Sequence, residues 1–98
     1  MKSYLNKSGR KKDAQMRHAL VRAAERFGLA LRREDLAEIV GKIRKNDAMF
    51  VRRTSLRCTV WDIDFREVPC RVVYDRLRGS IVTFLFRDGE GKQTHGAA

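Results

Sequence analysis

The chain of 98 residues is long enough for one domain and too short for two independent hydrophobic cores. Its content of 43% hydrophobic and 35% charged residues excludes a disordered chain, and no apolar run is long enough to predict a membrane span or a secretory signal. We therefore expect a soluble, cytoplasmic protein, and its formal net charge of +10 predicts a polyanionic partner rather than a membrane.

The positive charge is concentrated in the N-terminal part of the chain. Residues 1–57 contain 16 basic and 6 acidic side chains, whereas residues 58–98 contain 6 of each. Fifteen of the 22 basic residues are arginine, which binds phosphates in a bidentate manner and stacks on bases. This distribution is typical of a nucleic-acid-binding surface, and we expect RNA before DNA. The alternatives are solvated helix faces with a basic tail, or a basic face that docks an acidic protein.

Two helices are predicted in the first half of the chain, after a flexible basic arm over residues 1–12. Apolar residues recur at three- and four-residue spacing over residues 13–27, with Asp13 as the N-cap and Gly28 directly after the helix. A second amphipathic helix is predicted over residues 33–45, with acidic residues in its first turn and basic residues in its last. The two helices form a hairpin that must bury its apolar stripes on the rest of the chain.

Four strands are predicted in the second half, where the hydrophobic period changes to two: residues 48–54, 56–65, 68–75 and 80–86. Short turns connect the last three strands. The predicted fold is therefore α+β, with an N-terminal helical hairpin packed on a four-stranded antiparallel sheet. Residues 13–86 form this single domain, and residues 87–98 are expected to be a disordered tail.

The register of the last hairpin predicts which side chains face the helices. Uninterrupted pairing from Asp75 opposite Ser80 places Val73 opposite Val82 and leaves Phe84 on the face away from the helices. The face expected to meet the helices is nearly all apolar and consists of Cys70, Val72, Tyr74, Ile81, Thr83 and Leu85.

Arg57, Thr59 and Trp61 alternate onto one face of the second predicted strand. A cation that binds phosphate beside an aromatic ring that stacks on a base is what a platform for single-stranded RNA requires. A half-exposed strand also contains such residues by chance, so both interpretations stay open.

The sequence predicts no metal or cofactor. Cys58 and Cys70 have no second Cys or His at metal-ligand spacing and are expected to be reduced thiols in the core. Asp62 and Asp64 lie on one side of a strand and could hold a divalent metal, but charge pairing with arginine is the favoured interpretation. The sequence also lacks a Gly-rich phosphate loop and a nucleophile elbow.

His18, Arg22 and Arg26 lie along one side of the first predicted helix, with Glu25 adjacent. Metal-independent cleavage of RNA requires a base for the ribose 2′-hydroxyl, cations at the phosphate and an acid for the leaving oxygen. These side chains could supply that chemistry. The alternative is a solvated histidine in a charged helix, because the helical wheel places His18 almost opposite the buried stripe.

Three segments resemble one group of known proteins. They lie on the first helix and in the last hairpin: His18-Ala19-Leu20-Val21-Arg22, Cys70-Arg71-Val72-Val73-Tyr74-Asp75 and Gly79-Ser80-Ile81-Val82-Thr83-Phe84-Leu85. With their order along residues 13–86, they resemble the barnase–EndoU–colicin–RelE superfamily of small ribonucleases, and most closely its phage- and prophage-associated members.

The resemblance implies a RelE-like fold and a metal-independent endoribonuclease, often a toxin that acts on tRNA or on translated mRNA and is bound by an acidic antitoxin. It implies catalytic roles for His18, for Arg22 and for the hydroxyl of Ser80 or Thr83 on the last strand. The predicted register puts these two hydroxyls on opposite faces, so both cannot be partners of His18.

The residues expected to bind nucleic acid come from the helix, the strands and the resemblance together: Arg26, Arg53, Arg57, Trp61 and Arg71. The same residues also suit a non-catalytic phage or prophage factor that binds RNA, DNA or an acidic host protein. The two hypotheses differ in whether bound RNA is cleaved.

Overall fold

The computed structural model describes residues 2–87, with side chains from residue 11 onward, so the expected tail from residue 88 lies outside the described part. Two helices precede four strands: α1 (Lys2–Phe27), α2 (Arg33–Arg44), β1 (Met49–Arg53), β2 (Cys58–Phe65), β3 (Val68–Asp75) and β4 (Ser80–Leu85). The strands form one antiparallel sheet in the order β1-β2-β3-β4. The predicted α+β class, with helices before strands, is confirmed.

Helix α1 begins at Lys2 rather than at Asp13, so the predicted N-cap was wrong. Asp13 lies within the helix and pairs with Arg33 at 3.2 Å. The preceding residues contain no proline, and a helix extends readily once a packed segment has nucleated it. The predicted C-terminal end is confirmed, because Gly28 adopts a left-handed φ of 67° and its N–H donates to the carbonyl of Ala24 at 3.0 Å.

Helix α2 buries the stripe that its sequence predicts, Leu36, Ile39, Val40 and Ile43. Its first turn is closed by Asp35, whose carboxylate accepts a hydrogen bond from the backbone N–H of Arg32 at 2.8 Å. The helix ends at Arg44, and Asn46 follows with a φ of 61°, a conformation that asparagine tolerates better than most residues.

The helices pack on one face of the sheet, and α1 also covers the outer edge of β4. Ala19 and Ala23 are fully buried, and their small side chains allow α1 to approach the sheet closely. Phe27 packs edge-on against Phe84 with ring centroids 6.3 Å apart, and the guanidinium of Arg26 donates to the carbonyl of Phe84. One carbonyl of the β4 edge thereby has a side-chain partner, whereas β1, at the other edge of the sheet, is largely exposed.

An extra residue in β4 changes the predicted register. Asp75 pairs with Ser80 as predicted, but Val73 pairs with Thr83 instead of Val82. Val82 is therefore a β-bulge, and every later side chain of β4 lies on the opposite face from the one predicted.

The bulge places the largest apolar side chain of β4 in the core. Phe84 is 0% exposed, whereas Thr83 and Leu85, both expected to face the helices, lie on the open face and are half-buried. Burial of an aromatic ring is favourable and burial of an unpaired hydroxyl is costly, which is the physical reason for the difference.

Cys58 and Cys70 form no disulfide bond, as expected. Cys70 is buried in the core, whereas Cys58 is half-buried at the start of β2 and does not belong to the core. Neither helix of the described part of the chain has an apolar stretch long enough to cross a membrane.

Candidate nucleic-acid interface

Cationic side chains from both helices and from two loops meet at one end of the sheet. In an antiparallel meander the β1–β2 and β3–β4 connections lie at the same end, and here they touch, because the backbone N–H of Arg76 donates to the carbonyl of Arg57 at 2.7 Å. The side chain of Arg76 also donates to the carbonyl of Leu56 at 2.6 Å. The two loops therefore form one continuous surface.

Helices α1 and α2 add to this surface. Gln15 of α1 accepts a hydrogen bond from the hydroxyl of Ser80, and Lys12, one turn earlier on the helix, lines the same pocket as Arg44 and Ser80. Arg44 of α2 donates from Nε to the hydroxyl of Tyr74 at 3.3 Å. We call the resulting surface the basic end; it consists of Lys11, Lys12, Arg44, Arg53, Arg57, Arg76 and Arg78.

Asp75 is a buried carboxylate that binds several parts of the basic end. Its carboxylate is 1% exposed and accepts two hydrogen bonds from Arg57, at 3.2 and 3.0 Å. It also accepts hydrogen bonds from the backbone N–H groups of Leu77 and Arg78, at 3.0 and 3.1 Å, and from the amide of Gln15 at 3.1 Å. One buried carboxylate thus fixes both loops and α1 relative to each other.

Burial raises the pKa of the Asp75 carboxyl, but the hydrogen bonds from Arg57, Gln15 and the backbone of Arg78, together with the charge of Arg57, outweigh burial. The net result lowers the pKa of Asp75 from 3.8 to about 2. Asp75 is therefore ionised at neutral pH, and its negative charge is covered by the arginines that bind it.

Several cations of the basic end are available to a partner. Lys11, Lys12 and Arg53 are exposed and form no hydrogen bond or ion pair with other residues between 11 and 87. The backbone of α1 continues from Lys11 to Lys2, beyond the point where Gln15 already meets the first residue of β4. Helix α1 therefore extends past the end of the sheet, along a stretch in which most charged residues are basic.

The two carboxylates of β2, Asp62 and Asp64, are paired with arginines. Arg71, buried and predicted to bind nucleic acid, donates to Asp62 at 2.7 and 3.1 Å and is not accessible to a phosphate. Arg87, expected to begin the tail, donates to Asp64 at 3.1 Å. The predicted charge pairing of the two aspartates is thus confirmed, and within the described residues no group of three or more His, Cys, Asp or Glu side chains could hold a metal ion.

The row predicted from Arg57, Thr59 and Trp61 does not form an open platform. Thr59 is buried and accepts a hydrogen bond from the indole Nε1 of Trp61 at 2.9 Å, and both lie on the face that the helices cover in part. Arg57 precedes β2 and binds Asp75 instead, because a buried carboxylate requires a compensating cation.

The predicted catalytic side chains lie on the flank of α1 beside β4. His18 is exposed, and Arg22 is half-buried and pairs with Glu25 at 2.6 Å. Arg22 lies on the same side of α1 as Gln15 and Arg26, which contact β4, so this flank follows the strand.

The two candidate hydroxyls differ in surroundings. Ser80 is buried, and its partner on α1 is Gln15, a side chain that neither accepts nor releases a proton near neutral pH. Thr83 lies half-buried on the open face because of the bulge in β4. The structure therefore brings His18 and Arg22 to one flank of α1, and Arg53 and Arg57 to the basic end, as two separate groups.

Sequence reasoning did not single out the contributions of Arg44, Arg76 and Arg78 to the basic end. A signal for the last two was present, because the predicted order of strands already places the β1–β2 and β3–β4 connections side by side. Gln15 and Asp75 carry no sequence signal, since their pairing depends on how α1 meets the sheet.

Comparison with known proteins finds no relative: no family model, no curated protein and no solved structure matches the chain. The fold and the site define a small α+β protein with one strongly basic end.

Proposed function

We propose that this chain is a nucleic-acid-binding protein that docks through its basic end. The observation that carries the proposal is the separation of charge: seven cationic side chains lie at one end, and the carboxylate there, Asp75, is buried and bound by two of them, Arg57 and Arg78. Phosphates that replace condensed counterions at such a surface are the main source of affinity in nucleic-acid binding. RNA is proposed before DNA because the flank of α1 and the β3–β4 hairpin resemble small ribonucleases.

The hydrogen bonds around Asp75 favour this function over a merely solvated surface. They hold Arg57 and the β3–β4 turn in place before a ligand arrives. Binding to a preformed surface costs less ordering entropy than binding to mobile loops.

Charge reversal at the basic end tests the proposal. We expect Lys12→Glu and, in a separate variant, Arg53→Glu to weaken binding to RNA about tenfold at low salt, because each replaces a phosphate contact with repulsion. Arg66→Glu is the control at the opposite end of the sheet, where Arg66 lies exposed in the β2–β3 turn and pairs with Asp35 at 2.9 Å, so its melting temperature is measured beside its affinity. We expect it to change the affinity less than twofold, measured by fluorescence anisotropy of a labelled RNA.

Equal effects of all three reversals would show that net charge alone drives binding and would contradict the proposed docking surface. Failure to bind RNA or DNA, with binding of an acidic protein that persists in high salt, would replace nucleic acid with a protein partner such as an antitoxin.

Metal-independent cleavage of RNA is a second candidate function, favoured by one specific observation. Helix α1 presents His18 and Arg22 together on the flank that follows β4, whereas the bulge at Val82 turns Thr83 to the face away from the helices. An imidazole beside a guanidinium matches part of the chemistry of general acid–base cleavage.

The test of this second function is cleavage of RNA in EDTA. We expect His18→Ala to lower the rate at least a hundredfold without changing the melting temperature, because His18 is exposed and supports no packing. Arg17→Ala, an exposed neighbour on the same helix, serves as the control. Cleavage that His18→Ala leaves unchanged would remove His18 from the mechanism.

A further inference from the structure

An aromatic pair lies on the exposed edge of the sheet. Phe50 of β1 is 52% exposed and packs edge-on against Trp61 of β2, with ring centroids 5.3 Å apart. Trp61 is half-buried and reaches the hydrophobic core, and its indole Nε1 is fixed by the hydrogen bond to Thr59. A rigid ring therefore supports an exposed one at the surface.

A bulge in β1 brings a cation to the same face as this pair. Phe50 pairs with Trp61, but the next pairings are Arg52 with Val60 and Arg53 with Thr59, so that Val51 is an extra residue. Without the bulge, alternation would direct Arg53 to the face opposite Phe50. With it, Arg53 follows Phe50 on one face and lies opposite Thr59, which is buried.

The charges around the pair suit a polyanion. Arg53 belongs to the basic end, which is continuous with this face, and its row on the sheet continues through Thr59 to Tyr74, whose hydroxyl accepts a hydrogen bond from Arg44. The acidic side chains of β2, Asp62 and Asp64, alternate onto the opposite face. A cationic, aromatic surface without the β2 carboxylates is what an unpaired nucleotide requires for stacking and for phosphate contact.

We propose that Phe50, Trp61 and Arg53 form a subsite for an unpaired base and its phosphate, which makes single-stranded nucleic acid the ligand of the basic end. This inference rests on the proposed nucleic-acid-binding function and specifies its substrate class. A base stacks on the exposed ring of Phe50, and Arg53 binds the adjoining phosphate. A duplex hides the faces of its bases and so reaches only the cations.

A second copy of the chain is a poorer occupant of this face. The β1 edge ends in two adjacent exposed arginines, Arg52 and Arg53, and each chain carries a net charge of +10, so two copies repel each other when this edge approaches its equivalent.

The tryptophan gives a direct measurement, because Trp61 is the single tryptophan of the chain. We expect a twelve-nucleotide oligouridylate to quench the fluorescence of Trp61, whereas an adenylate–uridylate duplex of the same length binds in a salt-dependent manner with little quenching. Phe50→Ala should weaken binding of the single strand about tenfold and leave binding of the duplex within twofold, since stacking of one base contributes this much.

The matched control is Met49→Ala, because Met49 is the neighbouring residue of β1, 70% exposed, and pairs with Asp62 on the opposite face. It should change neither affinity by more than twofold. Phe50→Tyr keeps an aromatic ring and should retain the affinity for the single strand, whereas Phe50→Leu keeps only apolar area and should not. These two variants distinguish stacking from a loss of folding.

Equal loss of affinity in Phe50→Ala and Met49→Ala, or equal binding of Phe50→Leu and wild type, would overturn the subsite. If single strand and duplex bind alike and Phe50→Ala affects neither, the subsite is wrong while the basic end remains a nucleic-acid-binding surface. If neither binds, both proposals fail. Self-association that Phe50→Ala abolishes, measured by analytical ultracentrifugation, would assign this face to a second copy instead.

Discussion

Asp75 is the residue on which the candidate interface depends most. It is a buried carboxylate with partners on α1, in the β1–β2 loop and in the β3–β4 turn, so its loss would release three elements at once. Breaking a buried charge pair by removing one partner is more costly than losing an exposed one, because the other charge stays partly desolvated.

We expect Asp75→Asn to lower the free energy of unfolding by about 3 kcal/mol at pH 7, measured by urea denaturation. Asp64→Asn is the control, because Asp64 is an exposed carboxylate that pairs with Arg87, and its loss should cost less than about 1 kcal/mol. Similar costs for the two variants would show that Asp75 does not organise the basic end.

The lowered pKa of Asp75 predicts a dependence of stability on pH. Its pKa is about 2 in the folded chain and 3.8 ordinarily, so its contribution is complete above pH 4 and is lost as the pH falls from about 4 to 2. The difference in unfolding free energy between the wild type and Asp75→Asn should shrink by about 2 kcal/mol over this range. A difference that is constant between pH 5 and pH 2 would contradict the assignment.

At the scale of elements, two single-residue bulges determine which side chains reach the surface. The bulge in β1 directs Arg53 to the face of Phe50, and the bulge in β4 directs Thr83 away from the core and Phe84 into it. A bulge thus changes which functional side chains an otherwise regular sheet exposes on each face.

The position of Phe84 tests the bulge in β4. We expect Phe84→Ala to destabilise the protein by about 3–5 kcal/mol, because it leaves a cavity in the core, and its neighbour Leu85→Ala by about 1 kcal/mol. Regular pairing would give the reverse order, with Leu85 buried and Phe84 half-exposed. Chemical denaturation of the two variants distinguishes the registers.

Hydrophobic periodicity predicted both helices and all four strands, because that signal is local: the stripe of α2 and the alternation of β3 depend only on neighbours in sequence. The same reasoning could not predict the register of β4. The extra residue, Val82, turns Phe84 into the core, where it packs against Phe27 of α1, and that contact depends on the tertiary structure. The sequence did contain one sign against the predicted register, because that register placed the large apolar ring of Phe84 on the open face. For the candidate site, Arg53 was predicted, whereas the partners of Asp75 arise only in the folded chain.

At the scale of the whole molecule, the charge is separated in space rather than along the chain. The C-terminal half is neutral in sequence, yet it adds Arg76 and Arg78 to the basic end and keeps Asp62 and Asp64 paired with arginines elsewhere on the sheet. Helix α1 extends the same charge past the end of the sheet. A polyanion that approaches the folded chain therefore meets one basic end rather than a uniformly basic surface.

The dependence of RNA affinity on salt tests this account most directly. Five exposed cations of the basic end, Lys11, Lys12, Arg44, Arg53 and Arg76, predict a slope of about −3.5 when the logarithm of the association constant for a single-stranded RNA is plotted against the logarithm of the salt concentration. Lys12→Glu should make the slope shallower by about one, whereas Arg66→Glu should leave it unchanged. A slope near zero, or the same slope in all three proteins, would contradict nucleic-acid binding through the basic end.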